Sequence, residues 1–154
     1  MKDAIKLYNR GLALLEEGAV DLAIKSFKEF QQFDPTHVDS YTYLGLAYQI
    51  KGLTVEAIRA HSRAIELDPD NGVALFHLGN AYGKIGEYWK AKDCFYRAIE
   101  IDPENPYNYI GAASACDRAG EVEEALRLYE QALDKDIDEQ YKESVRNRIA
   151  ELQG

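Results

Sequence analysis

The sequence predicts an all-α fold, a solenoid of four repeated helix pairs followed by one further helix. Three observations lead to this prediction. Glycines recur every 34 residues, Asp-Pro pairs recur at the same interval, and the apolar side chains between them follow helical spacing. A unit of this length buries its apolar face only by stacking on neighbouring units. The recurring elements are Gly18, Gly52, Gly86 and Gly120, and the pairs 34–35, 68–69 and 102–103.

Each unit contains signals for two helices. In the second unit, Tyr41, Leu44 and Tyr48 lie at i, i+3 and i+7, as on one face of a helix. Gly52 suits a left-handed residue that ends this helix, and Pro69 cannot extend the helix that follows. We expect a capping residue where each later unit starts. The candidates are Thr36 with Asp39 as a capping box, Asp70 or Asn71, and Asn105 before Pro106.

The repeat interval divides the chain into units of about 4–37, 38–71, 72–105 and 106–138, within a single domain 1–154. Residues 139–153 are expected to form a ninth helix. Its apolar stripe of Tyr141, Val145, Ile149 and Leu152 could seal the fourth unit or dock on another molecule.

Small residues recur where the two helices of a unit must approach closely, because a larger side chain there would force the pair apart. One turn beyond the alanine of each second helix, a ring supplies the bulk of the core. We expect His61 to replace an aromatic ring in that place. The small residues are Gly11, Gly45, Gly79 and Ala113, with Ala23, Ala57, Ala91 and Ala125, and the other rings are Phe27, Phe95 and Tyr129.

This pattern resembles the tetratricopeptide repeat family. The third unit carries the motif most completely, as Leu75, Leu78-Gly79, Tyr82, Ala91, Phe95, Ala98 and Pro103. The resemblance implies a right-handed superhelix with the first helix of each unit lining a concave groove. Members that bind chaperone C-termini use a clamp of lysine, asparagine and arginine. Here the corresponding places hold Tyr8, Leu12, Tyr43, Val73 and His77, so we do not expect that specificity.

Helical phase separates the packing side of each first helix from an opposite side that we expect to line the groove. That opposite side is unusually apolar and aromatic for a solvent-facing surface. About half of these residues are expected to pack between units, and Tyr43, Phe76, His77, Asn80 and Tyr107 are the preferred ligand contacts. The candidate groove residues are Tyr8, Leu12, Tyr43, Leu46, Ile50, Phe76, His77, Asn80, Tyr107, Ile110 and Ser114, and the same helical phase also includes Gln49, Lys84, Asp117 and Arg118.

Composition argues against several classes of function. A net charge of −9 is unsuited to nucleic acid, and no apolar run approaches a membrane span. Residues 106–138 hold eight acids and three bases, so this end would attract basic or amphipathic partners or form an acidic solvated surface. We expect no catalytic residue, cofactor or metal site. Cys116 should be buried, Cys94 partly exposed and Trp89 packed locally.

These observations predict a cytoplasmic, non-catalytic scaffold that binds a protein segment, either a peptide or a helix, in its groove. The alternative is a structural module that forms homo-oligomers through the groove or through the ninth helix. An enzyme would need a cofactor or a clustered set of reactive groups, and no motif in the sequence supplies one.

Overall fold

The computed structural model describes residues 2–154, with side chains from Ala4 onward, and Met1 of the predicted domain lies outside this range. The described residues form nine α-helices and no strand, which confirms the all-α helix-pair fold. The helices are α1 (Lys2–Glu16), α2 (Val20–Phe33), α3 (Val38–Ile50), α4 (Thr54–Leu67), α5 (Gly72–Lys84), α6 (Tyr88–Ile101), α7 (Pro106–Arg118), α8 (Val122–Leu133) and α9 (Glu139–Gln153).

Neighbouring helices in the chain are also neighbours in space. Each of the first eight helices packs against the next, and the first helices of successive units, α1, α3, α5 and α7, also contact one another in order. The second helices of the units are α2, α4, α6 and α8. Stacking of this kind makes a solenoid, in which every unit covers the apolar face of the unit before it.

Glycine ends the first helix of each unit. Gly52 has φ of 74°, and the equivalent glycines 34 residues apart all have positive φ. The Gly52 amide donates to the Gln49 carbonyl at 3.0 Å, and the Leu53 amide donates to the Tyr48 carbonyl at 2.9 Å. This pair of hydrogen bonds is the Schellman motif, which satisfies the last carbonyls of the helix and turns the chain.

The helix N-termini agree with two of the three predicted caps. The Asn71 side chain accepts from the Ala74 amide at 2.9 Å, and Asn105 accepts from the Tyr107 amide at 3.0 Å. The predicted capping box at α3 is wrong. His37 is its N-cap, because His37 Nδ1 accepts from the Ser40 amide, while Thr36 instead binds the Asp34 carboxylate in the preceding turn.

The close helix crossings depend on the absence of a side chain. A Cβ added to Gly11 would lie 2.6 Å from the Phe27 ring, and one added to Gly79 would lie 2.9 Å from the Phe95 ring. Both rings are buried, as predicted, and the alanines that recur on the second helices are fully buried. In the first three units, the crossing is therefore filled by one ring from the second helix lying against a glycine of the first helix.

His61 occupies the ring position of the second unit and is fully buried, as predicted. Neither of its ring nitrogens has a hydrogen-bond partner among the described residues. Its ring stacks on His77, with centroids 5.5 Å apart. Burial, with a smaller contribution from His77, lowers the pKa of His61 to about 3, so the buried ring is neutral.

The apolar stripe of α9 packs against its own fourth unit. Val145 is buried, and Ile149 and Leu152 pack against the same cluster as Tyr129. Arg148 reinforces the docking with a bidentate ion pair to an α7 carboxylate. Its Nε and Nη2 atoms lie 2.7 and 2.9 Å from the oxygens of Asp117.

Two predicted positions are wrong. Cys94 is buried rather than partly exposed, because it faces the apolar cluster of Leu75 and Leu78. Burial raises its pKa to about 11, which leaves the thiol unreactive at neutral pH. Trp89 is 67% exposed instead of packed, and its ring carries the Lys92 ammonium 4.2 Å from the centroid.

The crossing contact can be tested with two glycines of α5. Gly79→Ala should lower the free energy of unfolding by about 1–3 kcal/mol, because the new methyl group overlaps the buried Phe95 ring. Gly83 lies four residues further along α5, and nothing lies within 4 Å of the place where its Cβ would be. Gly83→Ala should therefore raise stability by about 0.5–1 kcal/mol through helix propensity alone. Urea denaturation measures the free energy of unfolding of both variants. Equal changes in the two variants would contradict the crossing contact.

His61→Phe should stabilise the fold by about 1–3 kcal/mol at pH 7, because it removes two unsatisfied buried nitrogens. It should also reduce acid sensitivity. The folded-state pKa of His61 lies near 3 and its ordinary value is 6.5, so the unfolded chain binds the extra proton between these values. Stability is thus lost as pH falls below 6.5. Between pH 7 and pH 5 the wild type should lose about 2 kcal/mol more than the variant. Chemical denaturation at both pH values measures this difference. An equal loss of stability in the wild type and the variant would contradict the assignment of the acid sensitivity to His61.

Candidate functional site

A cavity of about 510 Å³ opens between the first helices of the second, third and fourth units. We call it the groove cavity. Side chains from α3, α5 and α7 form its walls, and residues at the start and middle of α6 complete it. It is lined by Leu46, Gln49, Ile50, His77, Gly79, Asn80, Gly83, Lys84, Tyr88, Ala91, Phe95, Gly111, Ser114, Ala115 and Arg118.

The walls are arranged in columns, because residues 34 apart occupy the same place on successive first helices. Leu46, Asn80 and Ser114 form one column of the groove cavity. The second column lies four residues further along each helix, which is one turn on the same face. It consists of Ile50, Lys84 and Arg118. In both columns the α3 residue is apolar, whereas the α5 and α7 residues are polar or charged.

Three glycines, which have no side chain, leave open space along the wall of the groove cavity. Gly79 and Gly111 lie against opposite parts of the Phe95 ring, since a Cβ on either would overlap it. The ring thus spaces α5 and α7 without a side chain from either helix filling the gap. Gly83 leaves further open space at the wall.

The electrostatics of the groove cavity differ from those of the chain as a whole. No acidic residue lines it, although the protein carries a net charge of −9. Lys84 and Arg118 form no ion pair within residues 4–154. Burial lowers the pKa of His77, so its imidazole is neutral near pH 7.

Several polar side chains of the lining have no partner in the described part of the chain. The side chains of Asn80 and Ser114 make no hydrogen bond there, and neither does the Tyr88 hydroxyl. Gln49 is engaged, because its amide nitrogen donates to the His77 carbonyl at 3.0 Å. The free amide and hydroxyl groups can donate to or accept from a ligand without first breaking an internal bond.

Five of the predicted groove residues line the cavity, and six do not. Those that line it are Leu46, Ile50, His77, Asn80 and Ser114. The other six pack elsewhere in the structure. Tyr8 and Leu12 are partly buried against the core of the first two units, Phe76 and Ile110 pack on the Phe95 cluster, and Tyr43 and Tyr107 contact other rings.

Large rings among the preferred contacts have a packing function between units. Tyr43 stacks on Phe27 of the preceding unit, with centroids 6.2 Å apart and planes inclined by 14°. His77 lies in the same register one unit later and stacks on His61, with planes inclined by 15°. Tyr107 is covered by Tyr141 of α9 in an edge-to-face contact at 5.3 Å. These contacts explain the size of the rings without a ligand.

Further residues complete the cavity. Helical phase also places Lys84 and Arg118 on the groove side of their helices, and both line the cavity. Gly111 lies 34 residues after His77, at the position where Tyr43 and His77 stack on a ring of the preceding unit. The glycine therefore marks a unit in which no ring fills that space. No comparable sequence signal singles out Tyr88, whose place depends on the packing of α6.

A second, smaller cavity of about 380 Å³ lies between α5 and α6, with Leu78, Tyr82, Trp89 and Arg97 among its lining residues. Within residues 2–154, no helix is long and apolar enough to cross a membrane. The same residues contain no group of three or more His, Cys, Asp or Glu side chains placed to hold a metal ion.

Comparison with known proteins identifies the repeat. Two models of the tetratricopeptide repeat match, one at residues 72–105 and one at residues 109–141. No curated protein matches the sequence.

Solved structures with the same fold include several of MamA. A crystal structure of MamA protein is 30% identical, with a TM-score of 0.82 over 85% of this chain and 72% of that chain. MamA 41-end from Desulfovibrio magneticus RS-1 is 18% identical, with a TM-score of 0.86 over 99% of this chain and 92% of that one. The first tetratricopeptide domain of Spaghetti, bound to an HSP90 peptide, is 20% identical, with a TM-score of 0.75 over 77% and 94% of the two chains. The repeat register, the helix pairs and these matches together establish that the chain belongs to the tetratricopeptide repeat family.

Proposed function

We propose that this protein is a non-catalytic scaffold that binds a peptide or helical segment of a partner protein in the groove cavity. The groove cavity itself, with its apolar wall on α3 and its unengaged polar groups on α5 and α7, is the observation that carries the proposal. Residues 1–154 would act as one domain, in the cytoplasm, with the fourth unit closed by α9. Nucleic acid and membrane surfaces are not among the proposed partners.

The chemistry of the lining suits a polypeptide. Leu46 and Ile50 offer apolar surface, and Ile50 is 65% exposed, so a ligand side chain can cover it. A peptide also brings main-chain amides and carbonyls that must be hydrogen-bonded when they leave water. The Asn80 carboxamide can donate to one and accept from another, and the Ser114 hydroxyl can do the same. Apolar contact would supply affinity, while these polar groups would position the main chain.

The comparisons support the fold's capacity for this role. The domain of Spaghetti is described as bound to an HSP90 peptide with the sequence SRMEEVD. The ligand of the present chain should be different, because Val73 and His77 stand where the chaperone-binding members place basic residues.

Self-assembly is the less favoured of the two functions considered. The apolar stripe of α9 already packs on the fourth unit, and Arg148 holds it there. Assembly through that stripe would require α9 to leave this position. Three acidic residues of the fourth unit, Asp117, Glu121 and Glu124, already form ion pairs. The groove cavity is therefore the better-supported surface.

Filling the groove cavity should abolish ligand binding without loss of the fold. Gly83→Trp places an indole at a position on the wall where nothing blocks the added side chain. Random short peptides displayed on phage are selected on the wild-type chain, and their affinities are measured by fluorescence anisotropy. We expect the tryptophan variant to bind at least about tenfold more weakly.

Gly83→Ala is the matched control, because it changes the same residue without occupying the cavity. It should bind like the wild type. Circular dichroism and thermal unfolding establish that both variants fold. Full binding by a folded Gly83→Trp variant would rule out the groove cavity as the binding site.

A further inference from the structure

We propose that the groove cavity selects an acidic, extended peptide. Its apolar side chain lies on Ile50, and carboxylates about three and six residues further along bind Lys84 and Arg118. This inference rests on the proposed function and specifies the chemistry of the ligand. It differs from the expectation that basic partners would be attracted to the acidic C-terminal end.

The first support is the change of polarity along the groove. The column of Ile50, Lys84 and Arg118 passes from an apolar side chain to two cations. The neighbouring column passes from Leu46 to Asn80 and Ser114, and so changes at the same point. Two independent columns therefore divide the cavity into an apolar part on α3 and a cationic, hydrogen-bonding part on α5 and α7.

The second support is the pairing of charges in the rest of the molecule. In residues 4–154, most lysines and arginines form an ion pair, a hydrogen bond or a contact with an aromatic face. Those that form none are Arg10, Arg59, Lys84 and Arg118. Two of them line the same cavity, in a protein with nine excess negative charges. Charge complementarity therefore favours an anionic occupant.

The acidic residues near the C-terminal end do not reverse this balance. Asp117 is bound by Arg148, Glu121 by Lys92 and Glu124 by Arg127. None of these carboxylates lines the groove cavity. A basic ligand would therefore find no carboxylate in the groove cavity.

Helix-end electrostatics offer a simpler role for the two cations. Lys84 and Arg118 lie in the last turns of α5 and α7, where a positive charge interacts favourably with the helix dipole. That role concerns stability and requires no ligand. It predicts that removing the charges changes unfolding but not binding, so the two explanations can be separated.

The spacing follows from the repeat. Successive first helices α3, α5 and α7 are in contact, and packed helix axes lie about 8–10 Å apart. An extended chain advances about 3.3 Å per residue, so about three residues cover one unit. A helical ligand advances only about 1.5 Å per residue and would need six or seven. The extended form presents an apolar residue and two acids within one short segment.

The test uses the same phage-displayed random short peptides, selected on the intact chain. The selected sequences should be enriched in an apolar residue followed by two acidic residues at spacings of three. Lys84→Glu combined with Arg118→Glu should weaken the binding of such a peptide by roughly tenfold or more. Binding should also weaken with salt, because the contacts lie between partly exposed charges.

Arg59→Glu is the matched control. Arg59 is exposed on the second helix α4, has no partner in residues 4–154 and lies outside the groove cavity, so its reversal should leave affinity unchanged. Replacing the two acids of the selected peptide by lysine should restore binding to the doubly reversed chain. Such a charge swap requires direct contact between these groups, which a purely structural role would not produce.

Each result is decisive. Peptides that lose binding to Gly83→Trp but show no acidic enrichment, or bind the doubly reversed chain normally, would overturn this inference and leave the proposed function standing. Selection of no peptide that depends on Gly83 would overturn the proposed function, and this inference with it. An effect on unfolding alone, with unchanged affinity, would assign Lys84 and Arg118 to the helix dipole.

Discussion

The structure depends on the contact between a ring of the second helix and a glycine of the first helix, which recurs in the first three units. Phe95 is the fullest example, because its ring lies against both Gly79 of its own unit and Gly111 of the next. That single ring sets the distance within a helix pair and the distance between two pairs. Since interiors tolerate little change of volume, the ring and the glycines can change only together. The distance between the first helices that line the groove is therefore set by a buried ring, Phe95.

The residue that meets this ring from the next unit decides where the groove is open. Tyr43 and His77 cover the preceding rings by stacking, so they fill the space between units. Gly111 meets Phe95 with no side chain, and the cavity lies there. A repeat protein can thus confine a binding site to part of a continuous surface by changing one position per unit. At the ring position of the second unit, His61 stabilises the fold less than an apolar ring would, because its buried nitrogens have no partner in the described residues.

Ion pairs are distributed unevenly between the fourth unit and the groove cavity. Three carboxylates of the fourth unit are paired with Lys92, Arg127 and Arg148, and these pairs join helices or stabilise a helix turn. The bidentate contact of Arg148 with Asp117 also helps to hold α9 against the fourth unit. The cations of the groove cavity remain without ion pairs in residues 4–154. An acidic protein therefore presents a locally cationic surface, which its net charge does not reveal.

Sequence alone determined the repeat register, the helix pairs, the glycine ends and the buried ring positions. These features follow from local backbone chemistry and from spacing, which a linear chain records directly. Tertiary structure decided which groove candidates face open space. Helical phase places Tyr43 and Asn80 on similar sides, but only the packing of the preceding unit covers Tyr43 and leaves Asn80 at the cavity. It also buried Cys94 and exposed Trp89, because accessibility depends on neighbouring helices rather than on the residue's own helix.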